Sequence, residues 1–305
     1  MKYVIFILLL ATGAMQARAQ GCSDAGFCSI GVLKNNTHPG GKVSRQLNIG
    51  AGYGLGQENT SIINPYVEYQ TGLGKKWALQ TKLTAAYATG FLGSNFNLGD
   101  IYVFSTYAAV NTPTSRVNLL GGIKAPLSSS NNKYQGKPLP LDYQASIGTW
   151  DFIAGINYII NNKWEINGGL QVPVIQRNKN TFFPDEFMGM KADGFAPTNN
   201  FRRKSDVLAR LGYYIQLAAA SISIKPNLLA IYHTGKDSYE DRFGKRTTLQ
   251  GSAGLTLNAG IAATKKFTNG NILEVVAATP FITRDVRPDG LTRSAVFNVQ
   301  YSFVL

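Results

Sequence analysis

The last residues of the chain, SAVFNVQYSFVL at 294–305, alternate between apolar and polar side chains. The apolar set consists of Phe297, Val299, Tyr301, Phe303 and Leu305. The polar set consists of Asn298, Gln300 and Ser302, and Val304 is the one apolar exception among them. A period of two predicts a β-strand with one apolar and one polar face. Taken alone, it fits equally well the closing strand of an outer-membrane β-barrel and a strand of an ordinary amphipathic sheet.

Residues 1–19 have the organisation of a secretory signal peptide. A lysine precedes an apolar run over 4–10, and Ala-Arg-Ala at 17–19 forms a cleavage site with small residues at both ends. The apolar run is too short to span a bilayer. Cys22 follows closely, so lipoprotein processing is an alternative, but alanine stands where a lipobox usually has leucine. We therefore expect an exported protein.

The two cysteines of the chain, Cys22 and Cys28, lie close together in GCSDAGFC. In an exported chain this spacing predicts a disulfide-closed loop. A metal site is less favoured, because two thiols supply only half of a tetrahedral shell and His38 is the only histidine nearby. The surrounding segment, 20–44, has no alternation. It is expected to be periplasmic, either entering the barrel mouth as a plug or remaining a flexible leader.

Composition and charge restrict the class of protein and of partner. After the signal peptide, no segment approaches about 20 uninterrupted apolar residues, which excludes a helical membrane protein. The formal net charge is +13. Export and the dispersion of the bases argue against nucleic acid as a partner. Outer-membrane lipids with anionic headgroups, or a small-molecule solute, explain the charge better. Other envelope proteins are further candidate partners.

From residue 45 to residue 305 the chain forms twelve alternating segments. They lie at about 45–55, 63–69, 77–87, 98–110, 117–123, 152–160, 164–174, 207–217, 222–230, 249–261, 273–281 and 294–305. Long connections are expected at 90–97, 126–145, 177–203, 233–246 and 283–292, and short ones near 112, 161, 219 and 267. The fourth segment is apolar on both faces, so its orientation is undecided.

The alternation of long and short connections predicts an all-β, transmembrane antiparallel β-barrel with short periplasmic turns and longer extracellular loops. The predicted location is the outer membrane of a Gram-negative-type bacterium. About 12 strands are expected, with fourteen or ten as alternatives. A secreted β-sandwich explains the period of two but not the loop asymmetry. Pro65, Pro173 and Pro226 lie inside predicted strands, where they indicate bulges or misplaced boundaries.

Three stretches resemble a known family. They are NLGDIYVF at 97–104, LLGGIKAPLSSSNN at 119–132 and LPLDYQASIGTWDFIAGINY at 139–158. They are similar to short motifs of the transporter-like outer-membrane proteins labelled with the MetA pathway of phenol degradation, although Ser128 stands where glycine is usual. That family is distantly similar to barrels of the fatty-acid-channel type. The resemblance implies a barrel that transports small molecules, hydrophobic ones among them.

Seven charged residues fall on the face of the strands opposite the apolar set and are therefore candidates to line the lumen. They are Glu68, Lys82, Lys124, Glu165, Arg210, Lys225 and Glu274. Water or opposite charges solvate such groups inside a barrel, whereas a Lys or Arg at the lipid midplane costs about 2–4 kcal/mol. Two interpretations are open: a polar permeation path, or ion pairs that fill and rigidify a narrow barrel.

An enzymatic function is not expected. A nucleophilic mechanism needs a base within reach of a nucleophile and an acid that orients the base. His233, Ser238 and either Asp237 or Asp241 are the one set that the sequence offers. A polar residue where a strand leaves the membrane is the favoured interpretation of this histidine. No cofactor and no metal site are predicted.

The sequence thus favours an outer-membrane channel or transporter that passes an unidentified small molecule, hydrophobic ones included, through a polar lumen. External loops, and the segment 20–44, are the expected gates. The alternative is a non-transporting barrel that acts as a scaffold or partner-binding subunit of an envelope complex. Trp77 and Trp164 each follow a short turn and are expected in the aromatic girdle at the periplasmic interface, joined by Tyr301 and Phe303.

Overall fold

The structure is a computed structural model that describes residues 45–187, 192–289 and 295–305. The predicted signal peptide, the segment 20–44 and the cysteine pair Cys22 and Cys28 lie outside the described residues, so these expectations stay predictions. No helix of the described part is long and apolar enough to cross a bilayer.

Twelve antiparallel strands form a closed barrel. Their bounds are β1 Gln46–Leu55, β2 Ser61–Leu73, β3 Trp77–Gly90, β4 Gly93–Asn111, β5 Ser115–Pro126, β6 Thr149–Ile160, β7 Trp164–Gln176, β8 Asp206–Tyr213 continued by Ile215–Leu217, β9 Ile222–His233, β10 Gly254–Lys266, β11 Ile272–Ile282 and β12 Val296–Val304. Each strand pairs with the next one in sequence, and β12 pairs with β1. The predicted all-β transmembrane antiparallel barrel of about 12 strands is confirmed.

The seam between β1 and β12 is continuous from Gln46 opposite Val304 to Gly54 opposite Val296. This pairing removes both open edges of the sheet, as a barrel in lipid requires. Phe297 and Val299 are exposed on the outer face, whereas Gln300 is buried on the inner face. The final strand therefore has the orientation that its alternation predicts.

The connections differ in length between the two ends of the barrel. One end, which we call the periplasmic end, carries turns of three to five residues at 74–76, 112–114, 161–163, 218–221 and 267–271. The external end carries the long loops 127–148, 177–205, 234–253 and 283–295, of which 188–191 and 290–294 are outside the described residues. The predicted asymmetry is present.

Two predicted boundaries are wrong. The expected long loop at 90–97 is a tight connection through Phe91 and Leu92, because residues from Gly93 onward pair with β3. The polar residues of that stretch suggested a loop, but they belong to a strand that pairs with the end of β3. The tenth strand begins at Gly254 rather than at Leu249, whose side chain is buried among loop residues.

The three strand prolines behave differently from one another. Pro173 lies at a register shift between β6 and β7, where a bulge absorbs the missing N–H donor. Regular pairing of β2 with β3 is interrupted at Asn64 and Pro65. Pro226 is paired in register with Ile261, so neither a bulge nor a misplaced boundary applies there.

The two faces of β12 are expected to differ in their tolerance of charge. Val299→Lys places an ammonium group on the lipid-facing side, and we expect a loss of about 2–4 kcal/mol in stability in the bilayer. Asn298→Lys places the same group inside the barrel, where water and polar side chains solvate it. Urea unfolding in lipid vesicles, together with heat-modifiable mobility on gels, measures the difference. Equal losses in the two variants would contradict the orientation of the strand.

Candidate functional site

The interior of the barrel is layered along its axis. Inward-facing residues near the external loops are charged, those at middle height on β4–β9 are apolar, and those toward the periplasmic end are again polar or charged. A cavity of about 180 Å³ lies beside the apolar layer. These layers determine which chemical groups of a solute the interior can accommodate at each height.

The external layer begins with a buried lysine between two carboxylates. Lys124 Nζ on β5 lies 3.1 Å from an oxygen of Asp151 on β6 and 3.6 Å from an oxygen of Asp100 on β4. Arg203 pairs with Asp206, and its guanidinium lies 3.9 Å from Asp151. These side chains are almost fully buried, so each charge depends on its partners for stabilisation.

His233 continues this ionic layer across the mouth. Its Nδ1 lies 2.6 Å from Asp206 and its Nε2 lies 2.7 Å from Asp237. Because both ring nitrogens face carboxylate oxygens, the geometry is that of an imidazolium that donates twice. Neither nitrogen is available to accept a proton from Ser238. The arrangement therefore does not supply the base that the catalytic alternative requires.

The three stretches that carry the family resemblance converge in this layer. Asp100 comes from the first stretch, Lys124 from the second and Asp151 from the third, and the three side chains form one ionic group. Asp100 also accepts a hydrogen bond from the hydroxyl of Ser146 in the loop 127–148. At Gly99, a Cβ would lie 2.7 Å from the carbonyl oxygen of Ala145. The Gly-Asp pair thus seats the loop against the barrel wall.

At middle height, an apolar cluster lies inside the barrel on the side of β4, β5, β6, β8 and β9. Its buried members are Tyr102, Phe104, Leu120, Ile153, Leu208 and Leu229. The expectation of a polar lumen is therefore incomplete. Tyr102 and Phe104 lie on β4, the strand whose orientation the sequence left undecided. The remaining members come from β5, β6, β8 and β9, whose inner faces also carry polar or charged residues.

The facing wall includes several small residues, and the space between the two walls is the cavity. Its apolar lining includes Leu229, Ala262, Val276 and Ala278. Its polar lining includes Lys82, Arg210, Lys225, Glu274 and Asn298. A single pocket thus offers an apolar surface and polar groups at the same time, which is typical of small-molecule sites.

The cavity is roofed by the loop 127–148. The 3-10 turn Leu141–Tyr143 is buried, and Leu141, Asp142 and Ser146 line the cavity. The Tyr143 hydroxyl accepts a hydrogen bond of 3.3 Å from the backbone N–H of Leu92. Loop residues therefore separate the cavity from the exterior.

A second external loop covers this roof. Phe182, Phe187 and Phe195 of the loop 177–205 belong to one buried cluster with Tyr143 and with Ile62 at the start of β2. The ring of Phe195 lies 6.0 Å from that of Tyr143, and the rings of Phe182 and Phe187 are 5.7 Å apart. The roof is thus held between the barrel rim and an aromatic cap.

The polar layer toward the periplasmic end contains most of the predicted lumen residues. Glu165 lies 2.9 Å from Lys225 and 3.5 Å from Arg210, and it also accepts a hydrogen bond from Tyr214. Glu68 and Lys82 lie opposite each other on β2 and β3. The Glu68 carboxylate accepts a hydrogen bond from Asn48, and Lys82 Nζ lies 3.8 Å from the centroid of the Tyr66 ring.

Six of the seven predicted residues therefore lie in ionic or polar groups of the interior, and Glu274 lines the cavity. The sequence prediction missed the acids and arginines of the external layer. These are Asp100, Asp142, Asp151, Arg203, Asp206, Asp237, Arg284 and Asp289. Asp100 and Asp151 lie within the stretches that resemble the transporter-like family, so the resemblance could have indicated them as residues of the interior. The loop members carry no alternation that points inward.

Asp142 is the roof residue whose carboxyl group titrates near neutral pH. Burial raises its pKa to about 7, and the nearby Asp289 adds to this effect. The backbone N–H of Gln57 and the guanidinium of Arg287 act in the opposite direction. Burial acts on Asp289 as well, but Arg284, Arg203 and His233 outweigh it and hold its pKa at about 2. Asp142 therefore faces a carboxylate that stays ionised.

Among residues 45–187, 192–289 and 295–305, no group of three or more His, Cys, Asp or Glu side chains is arranged to hold a metal ion.

Comparison with known proteins gives a likeness of fold. No family model and no curated protein matches the sequence. The crystal structure of an outer-membrane channel from Pseudomonas putida F1 is similar with a TM-score of 0.59 and 13% identity, over 89% of this chain and 98% of that chain. This likeness shows a shared barrel fold.

Two further solved structures are similar with TM-scores below 0.5. The NanC porin has a TM-score of 0.47 and 10% identity, over 85% of this chain and 100% of that chain. A Pseudomonas aeruginosa FadL homologue has a TM-score of 0.39 and 8% identity, over 86% of this chain and 90% of that chain. The similarity of the three stretches to the transporter-like family therefore remains a resemblance of short motifs.

The Lys124 group is expected to stabilise the barrel strongly. Lys124→Met leaves Asp100 and Asp151 buried with one cation fewer, and we expect a loss of about 3–5 kcal/mol in the free energy of unfolding. Lys133→Met removes an exposed lysine of an external loop and is the matched control. Urea titration in vesicles measures both variants. A loss in Lys124→Met no larger than in the control would contradict the assigned role.

The seated loop is expected to loosen as pH rises. Asp142 stays protonated up to about pH 7 when seated, whereas a solvated aspartate ionises at about pH 4. Raising the pH from about 4 to 7 therefore favours the released loop, and the effect levels off above about 7. Backbone amide protection factors of residues 139–147, which correct exchange rates for their intrinsic pH dependence, measure it at about pH 4, 5.5 and 7.5.

Asp142→Asn should abolish this pH dependence, because the amide does not titrate. Asp193→Asn, at an exposed position of the loop 177–205, should retain it. Protection factors in the wild-type protein that are equal at all three pH values would show that Asp142 does not control the loop.

Proposed function

We propose that this protein is an outer-membrane channel for a small molecule, with the loop 127–148 as its gate. The observation that carries the proposal is the cavity beneath that loop. Its roof consists of loop residues, Leu141, Asp142 and Ser146 among them, rather than strand side chains. A roof made by a loop can move without breaking the barrel, because the strand ladder does not depend on it.

The walls of the cavity suggest the kind of solute. Its volume, about 180 Å³, is comparable to that of a cavity of about 150 Å³ that binds benzene in another protein. An apolar group would lie against Leu229 and Val276, and a polar group would face Lys82, Arg210 or Lys225. A small molecule with a hydrophobic part fits this lining, in agreement with the transporters that the motif stretches resemble.

The path through the barrel follows from the layering. Movement of the loop opens the cavity to the exterior. Below the cavity, the Glu165 group with Arg210 and Lys225 lies toward the periplasmic end. These paired charges provide hydrogen-bonding groups to a polar solute at little cost in reorganisation. The likeness of fold to the P. putida channel supports a channel as the class of protein.

A non-transporting barrel that acts as a scaffold is the second candidate. The apolar cluster around Tyr102, Phe104 and Ile153 favours it, because these buried side chains occupy part of the barrel interior. In that case the cavity is a packing space, and partners bind the external loops.

Conductance in planar bilayers separates the two candidates. In one variant, residues 139–147 are replaced by a Gly-Ser linker of equal length, which removes the roof. We expect single-channel conductance several times that of the wild type, because the linker lacks the side chains that close the cavity and also lacks the Tyr143 ring against which Phe195 of the covering loop packs. The control replaces residues 243–245, of which Phe243 is 96% exposed, with the same type of linker. It should leave conductance unchanged. Absence of conductance in all three proteins would support the scaffold.

A further inference from the structure

Three periplasmic turns share a lysine placed immediately before an aromatic residue. The pairs are Lys76 with Trp77, Lys163 with Trp164 and Lys266 with Phe267. Lys75 and Lys265 add a second base to the first and third of these turns. We call the three pairs the basic–aromatic sites.

The sites are evenly distributed around the barrel. They lie at the turns β2–β3, β6–β7 and β10–β11, which are four strands apart in a ring of twelve. The intervening turns, 112–114 and 218–221, contain no charged residue. The lysines therefore form three separate positions rather than one continuous patch.

Each aromatic side chain lies on the outer face and packs on a second ring. Trp77 lies 4.9 Å from Tyr107, Trp164 lies 4.8 Å from Tyr213, and Phe267 lies 6.1 Å from Tyr301. Outward-facing aromatic pairs at a strand end are the usual markers of the membrane interface. Lys76 Nζ lies 5.8 Å from the centroid of the Tyr107 ring, so the ammonium group remains beside the lipid-facing rings.

In the described part of the chain, the charged side chains on the outer surface at this end are positive. Lys75, Lys76, Lys163 and Lys266 are exposed. Within the described part of the chain, the Asp and Glu side chains nearest this end are Glu165 and Glu274, which face the interior. The lysines are thus available to an anion that approaches along the outer surface.

We propose that the three basic–aromatic sites bind the headgroups of anionic phospholipids in the periplasmic leaflet. The ammonium group pairs with the lipid phosphate, and the aromatic pair packs against the glycerol and the upper acyl chain. A lipid is the occupant that fits, because the lysines adjoin lipid-facing rings and lie outside the lumen. The proposal is independent of conduction through the barrel.

Lipid retention measured by native mass spectrometry tests the proposal. The purified barrel in detergent is titrated with phosphatidylglycerol and, separately, with phosphatidylethanolamine. We expect the wild type to retain up to three phosphatidylglycerol molecules in preference to phosphatidylethanolamine. The triple variant Lys76→Gln, Lys163→Gln, Lys266→Gln should lose affinity about fivefold at each site. Heat-modifiable mobility verifies that it is folded.

The matched control carries Lys133→Gln, Lys236→Gln and Lys245→Gln, three exposed lysines of the external loops. It has the same change in net charge and should retain the lipid as the wild type does. Equal loss in both triple variants, equal retention in all three proteins, or no preference between the two lipids would overturn the proposal. Displacement of the lipid by millimolar inorganic phosphate would also overturn it, because it would indicate a phosphate site without lipid contacts.

Discussion

Backbone hydrogen bonding without water is the constraint on which the rest of this structure depends. In the hydrocarbon layer every N–H and C=O of a strand needs a partner within the protein, and only closure provides one for both edges. The pairing of β1 with β12 meets this requirement over nine residue pairs, from Gln46–Val304 to Gly54–Val296. Closure then places each strand residue either against lipid or in the interior. The alternation in the sequence therefore indicates which residues form each of the two surfaces.

The same constraint explains which parts of the structure can be predicted from the sequence. The lipid face is apolar throughout, so residues such as Leu47 and Val299 can be assigned to it without knowledge of their neighbours in space. The inner face has no such uniformity, because it meets water, ion pairs and packed side chains at different heights. Tyr102 and Phe104 face inward although they are apolar, and only their contacts with β5–β9 reveal why. The number of strands and the orientation of every strand except β4 were therefore predictable, whereas the apolar layer was not.

The external ionic layer was less predictable still. Asp100, Lys124 and Asp151 lie on adjacent strands and could be aligned from strand register. Arg203 and Asp237 come from loops, and no periodic pattern relates a loop residue to the interior. Their placement depends on long-range contacts such as that of His233 with Asp206 and Asp237. A buried charge with several partners also fixes the loop that carries it, because withdrawal leaves the others unpaired.

The unequal walls of the middle layer have a consequence for divergence among related barrels. On one side, large side chains interlock, so a change of volume there disturbs several strands at once. On the other side, Ala262, Val276 and Ala278 line the cavity, so a larger or smaller side chain there changes the volume of the cavity. The bore of this barrel is thus adjustable by three small residues on two adjacent strands. Selection for a different solute can act there while the assembly of the barrel stays unchanged.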